Sequence, residues 1–300
     1  MAAIEGVYVA AITPRRPANG EIDLGATLDL IDFLGSSKVQ GIVLFGSTGE
    51  FLHFEVEERQ RLIPLAVKRS RVPVIVNVSH STLDGSVRLA LAARRAGAEA
   101  VLLMPPYFFR YEQEEIKHFY RAFSQELDGS IPILLYNIPE FTNPLSVETA
   151  VELLLSGAFA GIKDSSGRFE DFRRIQSCTC GRGLSYLVGN DLIFPEARAE
   201  GASGVVSGVA CAAPELMLAL DRAVAASDSR KERLARRLQE FLSWIDSFPT
   251  PVGVKEAVAL RGIKTGPHAT PPSPAMQKKL SEFRDWFPGW LAEVKKDAAF

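Results

Sequence analysis

The sequence predicts an α/β fold, a (β/α)8 TIM barrel with a small C-terminal helical domain. Three observations carry this expectation. Short apolar runs rich in β-branched residues begin near Val7, Gly41, Pro73, Ala100, Ile131, Phe159, Leu184 and Ser203, at spacings of 34, 32, 27, 31, 28, 25 and 19 residues. Those spacings are close to the length of a strand plus a crossover helix. The runs, such as Val74-Ile75-Val76 and Ile133-Leu134-Leu135, are continuous rather than alternating, as parallel strands covered on both faces require. After about residue 226 the strand pattern stops, so residues 1–225 are assigned to the barrel and residues 226–300 to the helical segment.

The elements follow in chain order. The first run leads into Ala11-Ile12-Thr13-Pro14-Arg15-Arg16, where a doubly wound open sheet, the alternative fold, usually places Gly-x-Gly-x-x-Gly. Leu62, Ile63, Ala66 and Val67 form an apolar stripe at helical spacing, with Glu57, Glu58, Arg61 and Lys68 around it. Ser146 can cap a helix from Val147 to Leu155, with Glu148 placed favourably near its positive end. In the last segment Leu234, Leu238, Phe241, Leu242 and Ile245 share one helical face. Ser273-Pro274, followed by Met276, Leu280, Phe283 and Phe287, reads as a capped terminal helix. The stretch from Thr265 to Pro274, with four prolines and a glycine, is the expected exposed loop.

Composition excludes several classes. A chain of 300 residues, 47% hydrophobic and 23% charged, can bury a full core and is neither disordered nor fibrous. Its 34 basic and 36 acidic residues leave a net charge of −2, which supplies no global field for nucleic acid or an anionic membrane. Met1-Ala2-Ala3-Ile4-Glu5 shows no positive segment leading into an apolar one, and no apolar run approaches the ~18 residues of a membrane span. A cytoplasmic protein is expected. Cys178, Cys180 and Cys211 are an odd count, and Cys178-Thr179-Cys180 is too tightly spaced for a relaxed disulfide or the usual zinc pair. His53, His80, His118 and His268 are scattered, so no metal site is expected.

In such a barrel the catalytic groups come from the C-terminal ends of strands. Three ends stand out: Gly46-Ser47-Thr48-Gly49-Glu50, Tyr136-Asn137-Ile138-Pro139, and Lys163-Asp164-Ser165-Ser166-Gly167. Lys163 follows Phe159-Ala160-Gly161-Ile162, an apolar approach that disfavours the ammonium and favours a neutral amine able to attack a ketone. The bland alternative is a lysine that snorkels to solvent or pairs with Asp164. Tyr136 can relay a proton to or from an alkoxide, or simply pack with its hydroxyl satisfied. Ser47, Thr48 and Gly49 offer hydroxyls and converging backbone N–H groups suited to a carboxylate. Together an amine, a phenol and an anion nest are the parts needed to hold a 2-oxo acid as a Schiff base.

At these residues the sequence resembles the family of dihydrodipicolinate synthase and N-acetylneuraminate lyase, the pyruvate-type Schiff-base aldolases. The likeness runs from Thr13-Pro14 through the three strand ends, Pro105-Pro106-Tyr107-Phe108, Gly189-Asn190-Asp191 and Gly204-Val205-Val206-Ser207. It implies a (β/α)8 barrel assembled as a homotetramer of tight dimers. It also implies that Lys163 forms the imine, Tyr136 passes protons, Ser47 and Thr48 hold the carboxylate, and Val206 lines the pyruvate end. Neither metal nor cofactor is implied, because the iminium performs the polarisation a Lewis acid would supply.

Departures from the family pattern bear on the substrate. Where the synthases continue to an arginine that grips the aldehyde substrate's carboxylate, this chain has Phe141, and the second tyrosine of their Tyr-Tyr pair is Phe108. Ser47 stands where synthases usually carry threonine, as in the lyases, yet Leu192 replaces the acid by which N-acetylneuraminate lyase binds a glycerol tail. Asp191, Ser165 and Ser207 are the polar candidates for a hydroxylated tail, with Phe108 and Phe141 making the mouth apolar. The expected activity is that of a Schiff-base-forming aldolase or lyase that cleaves, or forms, a 2-oxo acid such as a 2-keto-3-deoxy sugar acid or 4-hydroxy-2-oxo acid, with pyruvate and an aldehyde as the parts. The alternatives are dihydrodipicolinate synthase, a 2-keto-3-deoxy acid dehydratase, N-acetylneuraminate lyase, or a non-catalytic 2-oxo acid sensor.

Overall fold

The continuous apolar runs fold as parallel strands with every residue buried, which is why they do not alternate. In the computed structural model, which describes residues 3–299, eight strands close into a barrel in sequence order. Met1 and Ala2 of the opening segment lie outside the described residues. The strands are β1 (Gly6–Ala10), β2 (Gly41–Leu44), β3 (Val74–Asn77), β4 (Ala100–Leu103), β5 (Ile133–Asn137), β6 (Gly161–Asp164), β7 (Ser185–Val188) and β8 (Gly204–Ser207). Closure pairs β8 with β1, Val205 opposite Val7. Two expected starts shift by two residues. Ile131 and Phe159 are buried but precede the ladder, and Pro132, which has no N–H to donate, separates Ile131 from β5.

Helices α1 (Leu24–Ser36), α2 (Val56–Arg69), α3 (Leu83–Ala96), α4 (Gln113–Leu127), α5 (Val147–Leu155), α6 (Phe169–Cys178) and α7 (Phe194–Ala199) connect the strands. After β8 come α8 (Val209–Ala212) and α9 (Pro214–Ala225). The stripe on α2 buries Leu62, Ile63 and Ala66. Leu62 and Ile63, fully buried, are each worth about 1.5–3 kcal/mol. Ser146 caps α5, its hydroxyl accepting from the Thr149 N–H at 3.1 Å.

Three further helices, α10 (Lys231–Ile245), α11 (Val252–Leu260) and α12 (Pro274–Ala298), complete the chain. Ser273 caps α12 by accepting from the Met276 N–H at 3.3 Å. Rings fasten α10 to α12: Phe241 stacks on Trp290 at 4.9 Å between centroids, and Trp244 meets Phe283 at 5.7 Å. The loop from Thr265 to Pro274 is mostly exposed, but its head is not. Thr265 is buried and accepts from the Arg15 N–H at 3.1 Å, which ties the loop to the segment after β1. Among the described residues no helix is long and apolar enough to cross a membrane.

Candidate active site

Parallel pairing of β5 with β6 sets Tyr136 opposite Lys163 and Asn137 opposite Asp164. Successive strand residues point to opposite faces, so each pair shares one face of the barrel wall. On one side the Asn137 amide donates to Asp164 Oδ1 at 2.8 Å, while Asn137 Oδ1 accepts from the Leu145 N–H at 3.1 Å. Ser166 donates to the same carboxylate through its N–H and its hydroxyl. Burial pushes the Asp164 carboxyl above its usual range despite these donors. This network fixes the two strand ends from behind.

On the other side Lys163 is 3% exposed and its Nζ lies 4.0 Å from the centroid of the Tyr136 ring. The Tyr136 hydroxyl lies 3.3 Å from Ser47 Oγ, joining three strand ends in one cluster. Burial alone would raise this phenol. The Lys163 ammonium, with hydrogen bonding from Ser47, Lys163 and Ser165, outweighs burial and holds it below its ordinary value. The end of β7 must come close to the amine, and there the chain has Gly189. A Cβ at that position would stand 2.0 Å from Ser165 Oγ and 2.8 Å from Lys163 Cε.

The Ser47 turn is built from an unusual backbone. Phe45 and Glu50, at its two ends, have φ of +60° and +53°, a region that side-chain-bearing residues rarely occupy. External partners hold it there. Asn77 Nδ2 donates to the Phe45 carbonyl at 2.6 Å, and the Thr13 hydroxyl donates to the Gly49 carbonyl at 2.7 Å.

A cavity of about 680 Å³ opens at this end of the barrel. Of the residues singled out from the sequence, Ser47, Thr48, Tyr136, Phe141, Lys163, Ser165, Asp191 and Val206 line it. Ser207 and Phe108 do not. Ser207 is wholly buried; its hydroxyl accepts from the Ala210 N–H at 2.9 Å and its side chain hydrogen-bonds Asp191, so it stands behind Asp191 rather than on the cavity wall. Phe108 is 89% exposed, in a left-handed conformation with φ of +78°, and packs edge-on against Phe109. Burial pushes the Asp191 carboxyl up to about 6, against the opposing pull of Ser207, the Val209 N–H and Lys163.

Sequence reasoning missed the far wall. Glu140 and Asn190 come from the loops after β5 and β7, and Leu242, Ile245 and Asp246 from the end of α10. Lys163 is the only Lys or Arg among the described residues lining the cavity. Among the described residues no group of three or more His, Cys, Asp or Glu side chains is placed to hold a metal ion.

Known proteins resemble this chain over nearly its whole length. The model of the Dihydrodipicolinate synthetase family matches residues 3–286. A 4-hydroxy-tetrahydrodipicolinate synthase of Syntrophus aciditrophicus is 35% identical over 264 residues, covering 86% of this chain and 88% of that one. Among solved structures, the 4-hydroxy-tetrahydrodipicolinate synthase of Methylacidiphilum fumariolicum superposes with a TM-score of 0.89 at 27% identity, over 99% of this chain and 100% of that one. Dihydrodipicolinate synthase of Aquifex aeolicus gives 0.88 at 27% identity, over 96% and 98%.

Proposed function

Since the chain belongs to the dihydrodipicolinate synthetase family and is a lyase of the lysine Schiff-base aldolase class, we propose that Lys163 is its imine-forming residue and that it cleaves a 2-keto-3-deoxy sugar acid or 4-hydroxy-2-oxo acid to pyruvate and an aldehyde. The observation that carries this reading is the Lys163–Tyr136–Ser47 cluster in a cavity whose lining holds no second lysine or arginine.

The chemistry follows from the placement. The Lys163 ammonium gives up a proton to water and its amine attacks the keto carbon; the carbinolamine then takes up a proton as its hydroxyl leaves as water, and a protonated imine remains. Tyr136, held below its ordinary pKa, takes the proton of the hydroxyl two carbons from the imine carbon. The bond between the intervening carbon and the hydroxyl-bearing carbon breaks, the aldehyde departs, and the iminium receives the electron pair as an enamine. Protonation of the enamine carbon and hydrolysis release pyruvate and restore the amine. Ser47 and Thr48 hold the carboxylate, Val206 and Phe141 shape the pocket, and Ser165 and Asp191 face the hydroxylated tail.

A second reading, 4-hydroxy-tetrahydrodipicolinate synthase, is favoured by the names of the relatives. The lining weighs against it, because the carboxylate of aspartate semialdehyde, the second to enter the site after that of pyruvate, would meet Phe141, Glu140 and Asp246 instead of a cation. Arg168 pairs with Asp171 at 3.0 Å, and Arg110 lies beside Phe108 and Phe109 outside the main cavity. We further propose a cytoplasmic homotetramer built as a dimer of dimers, a reading supported by the exposed Phe108 and Phe109.

The test has two parts. Borohydride with pyruvate should leave a three-carbon adduct on the Lys163 peptide, and a panel of 2-keto-3-deoxy acids should release pyruvate. An adduct elsewhere, or none at saturating pyruvate, overturns the mechanism. Efficient condensation of pyruvate with aspartate semialdehyde and no cleavage of the panel overturns the substrate assignment.

A further inference from the structure

One ion pair outside the reacting cluster bears on it from a distance of 205 residues in sequence. Lys255 Nζ of α11 donates to Glu50 Oε2 at 2.9 Å, with the side chains 1% and 4% exposed. It also donates to the Pro267 carbonyl at 3.2 Å. Removing two charges from water is expensive, and an apolar pair of similar volume is often as stable. Stability alone therefore gives little reason for this pair. Its position gives a better one.

Glu50 ends the Ser47 turn in a left-handed conformation, and its N–H donates to the Ser47 carbonyl at 3.0 Å. A residue in that region persists only where its surroundings over-determine it. Phe45 is held by Asn77 and lies under the Arg59 guanidinium at 5.3 Å, and Gly49 is held by Thr13. At Glu50 the strong anchor is Lys255, supplemented by His53 Nδ1 at 3.3 Å from Oε1. Lys255 is itself fixed, since α11 begins directly after Phe248, Pro249, Thr250 and Pro251, which line the cavity.

We propose that Lys255 is a positioning residue: through its buried ion pair with Glu50 it holds the Ser47–Glu50 turn in the conformation that presents Ser47 and Thr48 to the carboxylate of the 2-oxo acid. This inference rests on the assignment of that turn as the carboxylate holder. It gives the helical segment a part in substrate binding at the turn, although Lys255 touches no reacting atom.

The experiment measures borohydride trapping of pyruvate at Lys163 as a function of pyruvate concentration. In Lys255→Met the half-saturating concentration should rise about 10-fold or more, the scale of a lost charge-assisted hydrogen bond, while trapping at saturation stays complete. Lys255→Arg should restore most of the affinity. Should Lys255→Met fail to fold, Glu50→Gln, which removes one charge and keeps the shape, should raise the half-saturating concentration by a smaller factor. Half-saturation within twofold of the unsubstituted enzyme in the folded variants overturns the positioning role. Absence of any adduct in the unsubstituted enzyme overturns the Schiff-base reading instead, and this inference with it.

Discussion

Tyr136 and Lys163 are register partners across β5 and β6, and the lysine amine lies 4.0 Å from the centroid of the tyrosine ring. The pairing makes their separation a property of the sheet rather than of a loop. A slip of either strand by one residue would turn Tyr136 or Lys163 to the opposite face of the barrel wall. The phenol is therefore held beside the Lys163 amine, close enough for the ammonium to favour its ionised form.

Tyr136→Phe separates proton transfer from imine formation. The substitution removes the hydroxyl that lies 3.3 Å from Ser47 and leaves the ring under Lys163. Turnover should fall by roughly 10²-fold or more, the usual scale for a positioned acid/base group, while pyruvate is still trapped at Lys163. Undiminished turnover in steady-state assays would make the tyrosine structural.

How much of this was legible before the structure depends on which interaction carries each residue. Lys163 and Tyr136 are readable because a parallel strand ends where its apolar run ends, and in a barrel that end is the mouth. Ser207 sits at a strand end too, yet it is buried behind Asp191 and bonds both that carboxyl and the Ala210 N–H, a placement that a run without alternation does not reveal. Leu242 and Ile245 were visible as an apolar helical face, but periodicity does not say what a face covers, and here it reaches the cavity. The Glu50–Lys255 pair left only a faint mark. Lys255 interrupts the apolar stretch Val252-Gly253-Val254 and Ala257-Val258 on a face that is buried, and a charge in that position calls for a partner.

Asp191 should make the protein less stable as pH rises through the range between about 4 and 6. Its folded-state pKa is about 6, above the ordinary aspartate value of 3.8, so within that window the folded chain binds more of this proton than the unfolded one. Stability contributed by the protonated acid is complete below the unfolded value and is lost as pH climbs to the folded one, at no more than about 1.4 kcal/mol per pH unit. Asp191→Asn abolishes the titration. Urea midpoints for the two proteins should therefore diverge from pH 4 to pH 6, to the advantage of Asn, and run parallel above. Parallel curves across the whole range would mean that the carboxyl is already ionised at pH 4.

Phe141 tests specificity rather than chemistry. It is 50% exposed and lines both the main cavity and a smaller pocket of about 160 Å³ beside Ser47. A carboxylate arriving there sheds water against a ring and finds no cation, forgoing charge-assisted hydrogen bonds worth about 1.5–3 kcal/mol each. Aspartate semialdehyde should accordingly be disfavoured by on the order of 10- to 100-fold in kcat/KM relative to Phe141→Arg, which supplies the missing guanidinium. Glu140 complicates the exchange, because it lines the same cavity and is adjacent in sequence, where it can neutralise a new arginine. Glu140→Gln combined with Phe141→Arg should therefore condense pyruvate with aspartate semialdehyde better than Phe141→Arg alone, and both should cleave the native 2-oxo acid less well. If the unsubstituted enzyme already performs that condensation efficiently and the arginine adds nothing, the carboxylate is gripped elsewhere and Phe141 does not set the specificity of the mouth.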